Sequence, residues 1–383
     1  MNNFFRSCIL LFVVASVSLL PSAAFAKSYF LYVGTYTKGE SKGIYAYTYN
    51  ASSGDLKPLG LVAETKNPSF LADDPAGKLL YAVNEVGDYE GKSSGAVTAF
   101  RIDRPTGNLS QLNQVASRGA DPCYISFDKT GKYALVANYT GGNIAVFPVE
   151  SDGRVGEASA FVQHMGKGAN PERQEGPHAH WVETSPDNRY AIASDLGLDE
   201  LLVYHFDSGK GAVTPNDPPF AKTAAAAGPR HVSFSPDGKF AYAIAEMNST
   251  ITVFSYDASR GRLQAIQAVS TLPKDFKGEN DTAEIHVHPN GKFLFGSNRG
   301  HNSIAVFSID KRSGRITEAG DFPTQGKMPR NFEIDPTGTR LFVANMDSDN
   351  IVVFKIDQKT GALTPTGQTL AAPVPVSLRF VAQ

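Results

Sequence analysis

Two histidines stand two residues apart in the stretch GPHAH, His178 and His180, and either can take or deliver a proton near neutral pH. Arg230 in GPRH, Arg299 in SNRG and Arg330 each carry a planar fork that pairs bidentately with carboxylate or phosphate. Glu246 closes an apolar run, and Glu85 holds the equivalent place in an earlier segment. A carboxylate in a partly desolvated channel is expected to have a raised pKa and to serve as base or acid. The set suits an anionic substrate undergoing acyl transfer to water. The bland reading is that Arg and Glu merely pair across a channel. His286 and His288 alternate with Glu284 on one strand, EIHVHP, a spacing that can chelate a metal. Nothing else fixes a ligand set, so no metal is expected.

These residues are far apart in sequence, so their chemistry depends on a fold that gathers them. The stretch from Gly228 to Leu263 shows the unit: a Pro-led strand, a Ser-Pro-Asp-Gly turn, an apolar strand, a short turn, an alternating strand ITVFSYD, and a last short strand. The turn after the first strand recurs at Asp74–Gly77, Asp128–Gly131, Pro186–Asn188, Pro236–Gly238, Pro289–Gly291 and Pro336–Gly338. Its spacing of about fifty residues lies in the range of propeller blades. Six units run from Asn67 to Gln368. A seventh is split, with Tyr29–Thr37 and Gly43–Tyr49 at one end and Pro375–Val381 at the other. The predicted fold is all-β, a seven-bladed β-propeller closed by pairing the C-terminal strand with the N-terminal strands. One domain, residues 27–383, follows.

The first strand of each blade faces the central channel. Alternation places Ser69, Cys123, His180, Arg230, Ala283, Arg330 and Val376 inward, with His178 on the same face as His180. The end of the second strand supplies a further tier: Glu85, Tyr139, Leu196, Glu246, Arg299 and Met346. Units that otherwise repeat differ most at these positions, and the scaffold does not require the difference. Two polar insertions, Val162–Gly176 and Leu272–Thr282, precede His-containing strands and are candidates for the rim of a site. His164, His205, His231 and His301 read as surface or satisfied strand residues.

Residues 1–26 combine Arg6, an apolar run from Ile9 to Leu20 and a small-residue site, Ala24-Phe25-Ala26. They read as a secretory signal peptide cleaved before Lys27, which implies a periplasmic or secreted protein with no stable membrane insertion. The remaining Cys123 has no partner for an intramolecular disulfide and is expected to be buried and inert. The 36 Lys and Arg against 38 Asp and Glu argue against nucleic acid as partner.

The chain resembles the propeller-type 6-phosphogluconolactonase family, which also contains fungal carboxymuconate-lactonising enzymes. YVGTYT at Tyr32–Thr37 resembles the family's opening signature. GPHAH, GPRH, Glu246 in AIAEMNSTITVF, and SNRGHNSIAVF at Ser297–Phe307 resemble its internal ones. The resemblance implies a lactone hydrolase without cofactor or required metal. Its site at one channel mouth would use His178 or His180, Arg230 and Glu246 in catalysis. Arg299, Arg330, Glu85 and His286 are expected to bind the substrate, a small anionic lactone or sugar acid. One departure is that EIHVHPNG stands where the family usually reads EIRVSPDG, so His286 removes a fixed positive charge. A non-catalytic binding propeller of the cell envelope and a carboxymuconate-type lactonising enzyme remain as alternatives. Replacing Glu246 by Gln is expected to spare the fold while lowering the rate by orders of magnitude.

Overall fold

In the computed structural model, which describes residues 28–383, Ser28–Thr35 pairs on one side with Gly43–Asn50 and on the other with Pro375–Ala382. The C-terminal strand is thus the innermost of a four-stranded sheet whose other strands come from the N-terminal end. Six further four-stranded antiparallel sheets follow in sequence order, giving the predicted closed ring of seven blades. The expected leader, residues 1–26, lies outside the described residues.

Hydrophobicity accounts for the layering within each blade. Second strands such as Tyr190–Asp195 and Phe240–Ala245 are buried along their whole length, because a neighbouring blade covers each face. Ile244, Ile251 and Val253 of one blade pack with Ile285, Leu294 and Phe307 of the next. Each such side chain removed from water contributes roughly 1.5–3 kcal/mol before entropy is counted. Outermost strands, such as Leu363–Ala371, expose alternate residues and end the packing.

Two repeated devices aim side chains at the channel. Every innermost strand breaks register near its start, so that two residues oppose one on the adjacent strand. The extra residue is Ser69, Cys123, His180, Arg230, Arg330 and Val376 in six of the blades, with Ala283 and Glu284 sharing the place in the seventh. These bulges redirect the positions that alternation had marked. The second device is a backbone bond from the residue after each second strand back to the entrance of the innermost strand. Glu85, Tyr139, Leu196, Glu246, Arg299 and Met346 each donate their N–H there, at 2.7–3.0 Å. That bond fixes the second tier beside the first.

The bulge also turns the following residue inward, which simple alternation does not anticipate. Phe70 and Tyr124 have ring centroids 4.2 Å apart, and His231 meets them edge-on at 5.8 and 5.1 Å. His231 Nδ1–H donates to Glu284 at 2.9 Å, Glu284 accepts from Asn331 at 2.6 Å, and Asn331 accepts the N–H of Leu378 at 2.9 Å. This layer of mixed aromatic and polar groups lies between the two ends of the channel.

Candidate functional site

At the end where the innermost strands begin, Glu246 is the hub. Its Oε1 accepts from Arg173 Nη2 at 2.7 Å. Its Oε2 accepts from Arg230 Nε at 3.0 Å and is 2.7 Å from Arg299 Nη2. Backbone carbonyls hold the two buried guanidiniums from behind: Arg230 Nη1 donates to Ala283 at 2.9 Å, and Arg299 Nη2 to Thr282 at 2.8 Å. Burial alone would raise the Glu246 carboxyl, but Arg299, Arg230 and Arg173 together bring it down to about 2. The expectation of a raised carboxylate is therefore corrected: Glu246 is a fixed anion that clamps three cations. Arg230, pushed down to about 10 by burial and by repulsion from Arg330 and Arg299, is still a cation at neutral pH.

Arg173 was not among the candidate residues. It comes from the insertion Val162–Gly176, which is knitted down firmly. Buried Gln174 donates to Leu196 O and Asp199, both at 2.8 Å, and His164 pairs with Asp195 at 2.6 Å. Asp195 also accepts the His178 backbone N–H at 2.7 Å, tying the insertion to the GPHAH strand. Gly197 permits this approach, since a Cβ there would lie 1.9 Å from Gly176 O. Gly300 does the same for the second insertion, with Glu279 O at 2.0 Å.

His180 and His178 have different surroundings. His180 is buried, and its Nδ1 lies 3.6 Å from Cys123 Sγ. The thiol has backbone carbonyls of Ala137, Ala179 and His180 within donating reach, so the contact is satisfied by the tautomer in which Nδ1–H donates to sulfur, the one assigned to His180. Nε2 then holds a lone pair and has no partner among the described residues. Burial, with the charges of Arg230 and Arg330 and the nearby His231, holds the ring neutral, well below the usual histidine range. His178 stacks on Tyr139 at 4.6 Å, with Nδ1 3.2 Å from Tyr139 O and Nε2 3.6 Å from exposed Glu175. Cys123 is buried, and burial pushes its thiol up, which removes it as a nucleophile.

Glu85 accepts Tyr36 Oη at 2.9 and 3.0 Å, and the Arg330 guanidinium lies over the Tyr36 ring at 5.4 Å. Arg330 has no hydrogen bond or ion pair to any described residue, so its donors face the channel unused.

His286 does not join this group. It lines a cavity of about 500 Å³ at the opposite end, among Glu183, Glu333 and Arg379, with Glu284 at 3.8 Å. His286 was expected to bind the substrate along with Arg299, Arg330 and Glu85, and the fold places it away from them, further along its strand toward the other end of the channel. His288 uses both nitrogens, donating to Gly338 O at 2.7 Å and accepting from Asn290 N–H at 3.1 Å. Among the described residues no three His, Cys, Asp or Glu side chains are placed to hold a metal ion.

Residues 30–380 match the family described as Lactonase, 7-bladed beta-propeller. The 6-phosphogluconolactonase of Bacillus subtilis is 36% identical over 355 residues, 93% of this chain and 99% of that protein. The 6-phosphogluconolactonase of Formosa agariphila is 34% identical over 310 residues, 80% of this chain and 86% of that one. The solved periplasmic gluconolactonase of Pseudomonas aeruginosa superposes with a TM-score of 0.87 at 36% identity, covering 93% of this chain and 99% of that one.

Proposed function

The chain belongs to the seven-bladed β-propeller lactonase family, and from that premise we propose that its channel mouth opens the ring of a small sugar-type lactone by attack of water. The observation that carries this reading is a division within the site. Glu246 holds three guanidiniums by hydrogen bond or ion pair, whereas His180 Nε2 and the Arg330 fork have no partner among the described residues. A neutral imidazole and an unused guanidinium facing one channel are what ring opening needs.

In the proposed mechanism, His180 Nε2 takes a proton from water as the water oxygen bonds to the lactone carbonyl carbon. Arg330, with Arg230 beside it, stabilises the oxyanion that forms. The tetrahedral intermediate collapses by breaking the bond to the ring oxygen, and His180 returns its proton to that oxygen. One water is consumed, and the product is an open hydroxy acid. Glu246 holds Arg230 and Arg299 in place and transfers no proton. His178 and Tyr139 form a stacked wall, and Glu85 orients Tyr36 beneath Arg330. The leader-like residues 1–26 and the periplasmic designation of the Pseudomonas relative support work in the periplasm or outside the cell.

The test compares His180→Gln with His178→Gln on δ-gluconolactone, with rates read above spontaneous opening. His180→Gln lowers kcat by roughly 10²–10⁴, and His178→Gln has the smaller effect. Wild-type kcat in His180→Gln removes the proposed base.

A further inference from the structure

Neighbouring innermost strands touch in a fixed order around one side of the channel. The Leu378 N–H donates to Asn331 Oδ1 at 2.9 Å, and the Leu71 N–H donates to Ser377 Oγ at 3.1 Å. Phe70 meets Tyr124 with ring centroids 4.2 Å apart, and Ser126 Oγ donates to Val182 O at 2.7 Å. The bulge residues of these strands therefore form an arc that runs Arg330, Val376, Ser69, Cys123, His180. The ends of the arc are the two groups that the ring-opening reading leaves free for the substrate. Ser69 stands midway between them.

Ser69 is 4% exposed, and its Oγ has no hydrogen-bond partner among the described residues. A buried hydroxyl left unpaired loses its bonds to water for nothing in return, so its presence calls for a reason. Its neighbours in the arc are differently placed. Val376 is apolar, and the Cys123 thiol has the carbonyls of Ala137, Ala179 and His180 within reach. Asn138 and Asn345 also carry an unpaired buried oxygen, but their amide nitrogens are bonded. In Ser69 the one polar atom of the side chain is unused.

The backbone around Ser69 is pinned. Asn67, at φ 43°, offers its carbonyl to the N–H of Ser69 at 2.8 Å and of Glu85 at 3.0 Å. The Asn67 side chain accepts the Thr37 N–H at 2.9 Å and donates to Glu85 O at 3.0 Å. The Ser69 amide is thus occupied, and only its hydroxyl hydrogen is left to donate. No base holds that hydrogen, since His180 Nε2 has no partner among the described residues, so Ser69 is not set up as a nucleophile.

We propose that Ser69 Oγ–H is a second donor to the carbonyl oxygen of the lactone, working between the Arg330 guanidinium and the base His180. This rests on the ring-opening reading given above. The bond strengthens as negative charge gathers on that oxygen in the tetrahedral intermediate, and Ser69 keeps its proton throughout.

The experiment measures kcat and KM for the full chain, Ser69→Ala and Ser69→Cys on δ-gluconolactone or its 6-phosphate, whichever the wild type opens faster. Urea midpoints are read on the same proteins. Ser69→Ala is expected to lower kcat by roughly a hundredfold with KM within about twofold of the wild type. Ser69→Cys, a weak donor of similar shape, falls between the two. The hydroxyl has no partner to lose, so the Ser69→Ala midpoint equals or exceeds that of the wild type. Wild-type kcat in Ser69→Ala overturns the assignment, and so does a midpoint that falls together with kcat, which would show a hydroxyl serving the fold. An acyl group on Ser69 in the mass spectrum of the quenched reaction overturns it in favour of a nucleophile. Should neither lactone open faster than in buffer, the ring-opening reading fails by itself. Calorimetric binding of gluconate and 6-phosphogluconate then decides Ser69. Binding about tenfold weaker in Ser69→Ala at an undiminished midpoint supports the donor, and equal binding, or none by the wild type, overturns it.

Discussion

Replacing Glu246 by Gln removes the one negative charge on which Arg173, Arg230 and Arg299 converge. The Arg230 and Arg299 side chains are only 3% and 8% exposed, so they cannot turn to water for compensation. Breaking a buried pair from one side costs about 3–5 kcal/mol. Gln keeps an acceptor oxygen, and the carbonyls of Ala283 and Thr282 still hold the two guanidiniums, which places the loss near the lower end, about 3 kcal/mol. Arg173, whose side chain is 39% exposed, adds little. The assay is urea unfolding of both proteins across pH. The Glu246 carboxyl is lowered from 4.5 to about 2 in the folded state, so its contribution is complete above 4.5 and is lost as pH falls through about 2. The gap between variant and wild type is therefore widest at neutral pH and closes in acid. Equal stabilities at neutral pH, or a gap that persists unchanged in strong acid, would refute the clamp. Activity falls as well, because Arg230 and Arg299 lose their anchor, but the acidic limb of the pH–rate profile keeps the wild-type position.

Arg330→Met is expected to lower kcat/KM by roughly a hundredfold while changing stability by less than about 1 kcal/mol, since no hydrogen bond to a described residue is lost and the lost attraction to Glu85 and Glu246 is offset by relief of its repulsion with Arg230; a denaturation midpoint that drops with activity would show a structural role instead. Asp321 is raised from 3.8 to about 6 by burial and by Glu318, so it weakens the fold increasingly as pH rises from about 4 through 6. Asp321→Asn is accordingly stabilising at neutral pH by about 1 kcal/mol, and that gain disappears in melts run below the unfolded carboxylate pKa. Gly300→Ala pushes a methyl against Glu279 O and displaces the second insertion, lowering kcat/KM on a lactone together with thermal stability; unchanged kinetics would detach that insertion from the site.

The ring was legible because its unit repeats, and Pro375–Val381 was legible as the strand the N-terminal unit lacked. The inward residues were legible for the same reason: His180, Arg230 and Arg330 occupy one position of a repeating frame, and a bulge at that position aims them all. Alternation reports a face but not a depth. His286 lies three residues beyond Ala283, about 10 Å along a strand, which carries it past that layer toward the other mouth. Arg173 was hidden because the reach of a loop has no spacing rule, although its insertion could be marked as rim. The ionisation of Glu246 was misjudged because burial and three cations act in opposite senses, and those cations arrive from three separate segments. For the same reason, its replacement by Gln is now expected to weaken the fold rather than spare it.

The stopper of Phe70, Tyr124 and His231 has a kinetic consequence. On the proposed mechanism, a molecule entering at Glu246 meets that layer behind it, so substrate and product would share one doorway. The product would leave with a new carboxylate in front of Arg330, the group that met the carbonyl on the way in. Its departure would then compete with the next arrival, and accumulated hydroxy acid is expected to slow turnover.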